Sequence, residues 1–319
     1  MKKYLLLLLL FPSLISAQDF TMVDNVTRSA YKNEKSVISL AERIDYDFKT
    51  DVEKVRAVYT WITYNITYRK EYSRFLKEPE FLVYFSEEHL KYIQKQKEEK
   101  KIANTFNKRA GVCEGFSLLF KKLCDLLKIE NELVLGYTKP SVDYVGILAT
   151  RKNHVWNAVK VQDKWIMIDA TFGAGVISNG LWLRKFNPNY FDVSLNLLNR
   201  THFPSAIKWR NFQKQKTLKD FCNDPMMRDA FFKHRIKIEE PKKGVITLKK
   251  KGDIKFKIKG VKNKQSISYA FTNEGIFRKP KVKVKKGYSD YYLQRPRQDT
   301  ALHIYIDNEL ALEYKVKLD

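Results

Sequence analysis

Apolar positions in the first part of the chain recur at helical spacing. Val37, Ile38, Ala41 and Ile44 mark one amphipathic face, and Thr50 with Glu53 forms a capping-box spacing ahead of Val52, Val55, Val58, Tyr59 and Ile62. Residues 18 to about 70 therefore read as helical. From 70 to about 103 the periodicity fades into charge, ending in Lys95, Lys97, Glu98, Glu99, Lys100 and Lys101. That pattern predicts a solvated helix and loop inserted between core elements. A long helix is expected from Gly111, with Phe116, Phe120, Leu123 and Leu127 on one face and Lys121, Lys122 and Lys128 off it. Extended runs follow at Leu133-Val134-Leu135, His154 to Val161 and Trp165 to Ala170. Gln162, Asp163 and Lys164 give the last two a connection of hairpin length. Helices followed by antiparallel strands make an α+β pattern.

From about Ile236 the period changes to two. Ile254, Phe256 and Ile258 alternate with Lys255, Lys257 and Lys259, and Val282 and Val284 with Lys281, Lys283 and Lys285. Ile304 and Ile306 continue the theme before a turn at Asp307-Asn308. Each such strand should bury its apolar side and solvate its lysines. Several of them in sequence predict a small all-β, Ig-like sandwich over 236–319, behind an α+β domain over 18–235. The chain begins differently again. Lys2 and Lys3 precede an apolar run from Leu5 to Leu10, and small residues Ser16 and Ala17 stand before Gln18. Residues 1–17 read as a signal peptide, and the exported protein as periplasmic or extracellular. The run is short and broken by Pro12, so a transmembrane anchor is not expected.

Composition narrows the class. The chain of 319 residues is 44% apolar and 13% aromatic, too rich in core-forming side chains for a disordered polycation. Three cysteines are too few for a small disulfide scaffold. Sixty Lys and Arg against 36 Asp and Glu give a net charge of +24. From residue 236 onward there are 21 basic and 10 acidic residues, so 11 of those charges fall in about a quarter of the chain. The lysines are first the solvated faces of strands, and lysine on an edge strand resists aggregation. Beyond that they suit an anionic envelope polymer or lipid surface. No helix-turn-helix, finger or RNP-like motif accompanies them, so specific nucleic-acid reading is unsupported.

Three residues carry candidate chemistry. Cys113, in Gly111-Val112-Cys113-Glu114-Gly115, starts the long helix. A thiol there faces unpaired backbone N–H groups and the positive end of the helix dipole, which favour its anionic form. Gly111 and Gly115 are expected to leave room around the sulfur for a substrate backbone. Cys124 falls inside the apolar stripe and is assigned to the core. His154 opens one extended run and Asp169 sits in the next. A hairpin centred near 162–163 brings them within one or two positions across the ladder, where an imidazole meets its orienting carboxylate. Trp156, Asn157 and Trp165 read as packing around these residues. His89, His202, His234 and His303 have no partner at ligand spacing, so no metal and no cofactor are expected.

The run Lys108-Arg109-Ala110-Gly111-Val112-Cys113-Glu114-Gly115-Phe116, then His154-Val155-Trp156-Asn157, then Trp165 and Asp169-Ala170-Thr171 resembles the transglutaminase-like superfamily of papain-like cysteine enzymes. The chain is further similar to the kyphoscoliosis-peptidase type through His202-Phe203-Pro204, Trp209, Leu218-Lys219-Asp220-Phe221, Pro225 and Phe231-Phe232. The resemblance implies a papain-like core with Cys113 as nucleophile, His154 as general base and acid, and Asp169 as orienting acid. It implies a hydrolase or acyltransferase acting on peptide or amide bonds through a Cys thioester, a cysteine peptidase most simply. The alternative is a catalytically silent module that binds protein or surface polymer in the same cleft. One feature departs from animal transglutaminases, which place a Trp upstream of the Cys to stabilise the oxyanion. No Trp occurs between Trp61 and Cys113. The Cys113 N–H supplies one donor; the second is unassigned, with Asn104 and Asn107 as candidates.

Overall fold

In the computed structural model, residues 19–69, 83–178, 181–214, 217–249, 252–262 and 264–319 are described. The signal peptide expected over 1–17 lies outside them, as does the start of the charged stretch. Helices α1 (Thr21–Ala30), α2 (Val37–Asp47) and α3 (Asp51–Asn65) open the fold. The Thr50 hydroxyl accepts from the Glu53 N–H while the Glu53 carboxylate accepts from the Thr50 N–H, so the expected capping box starts α3. Residues 55–63 of α3 are buried on all sides. Its Arg56 is tied to Asp24 of α1 by two bonds of 2.8 and 2.7 Å, with the Thr60 hydroxyl on the same carboxylate. On α2 the buried face is Leu40, Ala41 and Ile44, while Ile38 is 57% exposed. The 3.6-residue repeat from Ile44 runs back to Leu40 and Ala41 and leaves Ile38 on the far side, which corrects the expected face.

Strand β1 (Thr67–Tyr68) pairs in parallel with β2 (Ala110–Gly111), across the long charged helix α4 (Glu87–Lys108). Most of α4 is exposed, with Ile102, Thr105 and Phe106 turned inward near its end. Helix α5 (Cys113–Leu126) then lies on a sheet of β3 (Asn131–Tyr137), β4 (His154–Val161), β5 (Lys164–Ile168) and β8 (Phe203–Pro204), in the order β5-β4-β3-β8. Phe116, Phe120, Leu123 and Cys124 of α5 share one core with Trp156, Val159 and Ile168 of the sheet. Gln162 and Asp163 turn β4 into β5 in left-handed backbone, as a two-residue hairpin requires. Between β5 and β8 come α6 (Ala170–Ala174), the hairpin β6 (Gly175–Ser178) and β7 (Leu181–Arg184), and α7 (Leu195–Thr201). Short elements α8 (Ile207–Gln213), α9 (Leu218–Asn223), β9 (Met226–Met227) and α10 (Asp229–Lys233) follow.

The rest is all β: β10 (Lys237–Glu240), β11 (Val245–Leu248), β12 (Ile254–Lys259), β13 (Ile267–Phe271), β14 (Lys281–Lys285), β15 (Tyr288–Leu293), β16 (Thr300–Ile306) and β17 (Glu309–Leu318). Two sheets, β10-β12-β15-β14 and β11-β17-β16-β13, face each other across one core of Ile254, Phe256, Ile258, Leu302, Ile304, Ile306 and Tyr314. Both the α+β core and the terminal sandwich thus form. That second core also takes Met227, Ala230 and Phe231, and β9 pairs with β17. The alternation in β14 does not bury its apolar side. Val282 and Val284 are exposed because β14 ends its sheet, where the sandwich core does not reach. Among the described residues no helix is long and apolar enough to cross a membrane.

Candidate active site

Val112 caps α5 in extended conformation without any side-chain bond to the first turn. Cys113 is therefore the first helical residue, among N–H groups that have no intrahelical partner. The two flanking glycines serve a different end from the one expected. A Cβ on Gly115 would stand 2.5 Å from Thr105 Oγ1, and one on Gly111 would stand 3.2 Å from Thr105 Cγ2. Both glycines let the end of α4 close onto the start of α5, and the space they leave is filled by Thr105.

His154 is the first residue of β4, and its ring is buried between Trp156 and Phe172. The register pairs Asn157 with Ile168, so Asp169 stands two positions from His154 across the ladder. Side chains two apart share a face, and His154 Nε2 meets Asp169 Oδ2 at 2.6 Å. Asp169 is not a strand residue. β5 ends at Ile168, and Asp169 caps α6, its Oδ1 accepting from the Thr171 and Phe172 N–H groups at 2.8 and 2.9 Å. The cap fixes the carboxylate and leaves Oδ2 for the imidazole. Cys113 is within side-chain hydrogen-bonding reach of His154. Since Nε2 is engaged by Asp169, Nδ1 is the nitrogen left for the thiol.

The electrostatics follow from this packing. Burial disfavours a charged His154, but the Asp169 charge and hydrogen bond, with a smaller contribution from Cys113, outweigh it and hold the imidazole up at about 10. Burial works against ionised Asp169 too, yet His154 and then His202 keep the carboxyl below its ordinary range. Burial pushes the Cys124 thiol up, as its place in the core requires.

His202 is the residue that sequence spacing missed. It follows α7, is fully buried, and brings Nε2 to 2.9 Å from the same Asp169 Oδ2. The absence of a partner expected for it is thus overturned. It lies 33 residues from Asp169, so local spacing carries no hint of the contact. The signal that could have found it is the His202-Phe203-Pro204 similarity. Burial outweighs the Asp169 bond here and lowers its pKa. His303 and His234 also find acids, Glu313 at 3.2 Å and Asp307 at 3.9 Å, both within the β-rich tail. His154, Asp169 and His202 bring three ligand-type atoms within 4.8 Å of one another. Both ring nitrogens sit at hydrogen-bond distance from one carboxylate oxygen, so shared protons satisfy the cluster, and a metal would have to displace both bonds.

Tyr68 is the second residue missed. Register places it beside Gly111, two residues before Cys113, and burial followed by the charges of Cys113 and Asp169 raises its hydroxyl to about 12. Asn104 and Asn107 are exposed, on the side of α4 away from Thr105. Trp156 and Asn157 pack as expected: Trp156 is fully buried, and the Asn157 amide donates to the Ser117 carbonyl of α5. Trp165 stacks edge-on against Trp209.

Residues 77–170 match the family model described as the transglutaminase-like superfamily. The chain is 22% identical over 235 residues to the human protein named kyphoscoliosis peptidase, covering 73% of this chain and 32% of that one. It is also 22% identical over 245 residues to hillarin of Drosophila melanogaster, covering 72% and 27%. A third relative, the Lim and transglutaminase domain protein ltd-1 of Caenorhabditis elegans, is 22% identical over 231 residues, covering 68% and 29%. The chain spans about a third of the length of these curated relatives. Cys113, His154 and Asp169 all lie inside the matched segment, so over residues 77–170 the chain is similar to the transglutaminase-like superfamily, and over a longer stretch it is similar in sequence to the kyphoscoliosis peptidases.

Proposed function

We propose that this is a secreted cysteine enzyme that cleaves peptide or amide bonds through a thioester on Cys113. The observation that supports this most is the 2.6 Å contact of His154 with a buried Asp169 that caps α6, with the thiol of a helix-start cysteine in reach of the same ring. The name peptidase borne by these relatives favours hydrolysis over other acyl transfers.

In the reaction, Cys113 Sγ adds to the substrate carbonyl carbon with its proton already held at His154 Nδ1. Asp169 stabilises the imidazolium and fixes its orientation. The Cys113 N–H donates to the developing oxyanion, and we assign the second donor to the Tyr68 hydroxyl, on the strand residue paired with Gly111 two positions before the thiol. His154 Nδ1–H then protonates the leaving amine as the C–N bond breaks, which leaves the acyl group on sulfur. Water, deprotonated by the same imidazole, hydrolyses the thioester and returns the thiol. His202 acts as a positioning residue that holds Asp169 Oδ2 beside His154, the two rings 5.4 Å apart.

The lysines of the tail, in a unit we place at 236–319 behind a domain at 18–235, would attract anionic polymers or lipid surfaces. Such attraction is screened within about 8 Å at physiological salt. The enzyme reading is tested by acid-quenching the purified protein during incubation with a peptide and amide library. An acyl adduct on Cys113, seen by peptide mass spectrometry and absent from His154→Ala, is expected. No adduct and no product across the library would leave a silent binding module.

A further inference from the structure

Strand β14 ends the order β10-β12-β15-β14, and among the described residues no strand pairs with its far side. All its residues are exposed. Lys281, Lys283 and Lys285 alternate with Val282 and Val284, which are 46% and 81% exposed. The lysine side continues across the sheet. Lys281 stands beside Tyr292 and then Lys255, and Lys283 beside Asp290 and then Lys257. Asp290 is buried among these side chains and engages Lys285 at 3.1 Å and Lys255 at 3.5 Å. Lys257, Lys281 and Lys283 have no carboxylate partner among the described residues.

Lysines alone would blunt an edge against aggregation. They do not explain why the other side of the same strand offers two valines to solvent, with Ile276 and Phe277 exposed just ahead of them. We propose that β14 is a docking edge for an extended acidic peptide whose carboxylates alternate with apolar residues. The guest adds as a further strand, its main chain bonding to the open edge. Same-side residues of a strand recur about every 7 Å. Alternate carboxylates of the guest therefore fall opposite Lys281, Lys283 and Lys285, and its apolar residues opposite Val282 and Val284. A second copy of β14 is a poor occupant. The register that joins valine to valine also sets lysine against lysine, and like charges across a ladder repel. Docking at this edge does not depend on the chemistry at Cys113.

The test uses the full-length chain carrying Cys113→Ala, so that turnover cannot consume the probe. One labelled synthetic peptide alternates glutamate with valine, and its control has the same residues in two blocks. The alternating peptide is expected to bind, to slow amide hydrogen exchange in residues 281–285, and to outcompete the blocked control. Replacing Lys281→Gln and Lys283→Gln together should weaken it roughly tenfold, from the loss of two opposite-charge cross-strand pairs. The exchange measurement on the unsubstituted edge decides the matter should the double variant fail to fold. Equal binding of both peptides, or binding without protection of β14, overturns the proposal. A sulfated polysaccharide that displaces both peptides alike would then identify a diffuse anion-binding face.

Discussion

Two imidazoles meet one oxygen of Asp169, so only one of them is charged against it at a time. His154 takes that place, since its pKa is raised and that of His202 is lowered. A neutral His202 that donates Nε2–H to Asp169 has an acceptor at Nδ1, and the Thr201 hydroxyl lies 2.8 Å from both that nitrogen and the Leu197 carbonyl, with one proton for the two. The pH dependence has a defined sign. A raised His154 contributes stability that is fully present below its unfolded value of 6.5 and is lost as pH rises through about 10. A lowered Asp169 contributes stability present above 3.8 and lost as pH falls through its folded value. The melting temperature should therefore decline between pH 6.5 and about 10, and His154→Ala should flatten that limb of a calorimetric pH series. Tyr68→Phe keeps the ring packed and removes one oxyanion donor. It should lower kcat roughly a hundredfold with little change in melting temperature, and an unchanged kcat would return the second donor to the backbone.

At the scale of elements, the site depends on how closely α4 meets α5. Gly115→Ala would force a Cβ onto buried Thr105, an overpacking that typically costs about 1–3 kcal/mol. Urea titration should show that loss, and Thr105→Ala should restore part of it by removing the opposing hydroxyl. A Gly115→Ala protein as stable as the parent would return the glycine to the substrate-access role that the sequence suggests. The strand His154–Val161 and its hairpin partner are legible in the sequence because apolar runs flank a short polar turn. Their register then brings His154 and Asp169 together without further information. The helix cap at Asp169 is not legible, because α6 has five residues and no apolar period of its own. The exposure of β14 is hidden for another reason. Alternation reports that a strand has two unlike faces, and position in the sheet decides whether the apolar one is covered.

Across the whole molecule, the lysine-rich tail shares more with the preceding chain than the change of period at 236 suggests. Met227, Ala230 and Phe231 lie in its core, and Met226 joins Val142 and Val145 in a small cluster against Val245 and Ala301. A chain ending after Arg235 should uncover these side chains and bind a hydrophobic dye, whereas one that keeps residues 225–319 as the tail should not. Equal dye binding by the two would place the division at 236. His202 completes the site from outside the matched segment 77–170, a long-range contact that only the assembled fold supplies. The central claim is that Cys113 is activated by the His154–Asp169 pair. Its most direct test is the rate of iodoacetamide alkylation at each cysteine of the full-length protein near neutral pH, read by peptide mass spectrometry. Cys113 should react first and buried Cys124 last, and His154→Ala should slow Cys113 by roughly tenfold or more, since the imidazole partner of the sulfur is gone. Alkylation of Cys113 at the same rate with and without His154 would contradict it.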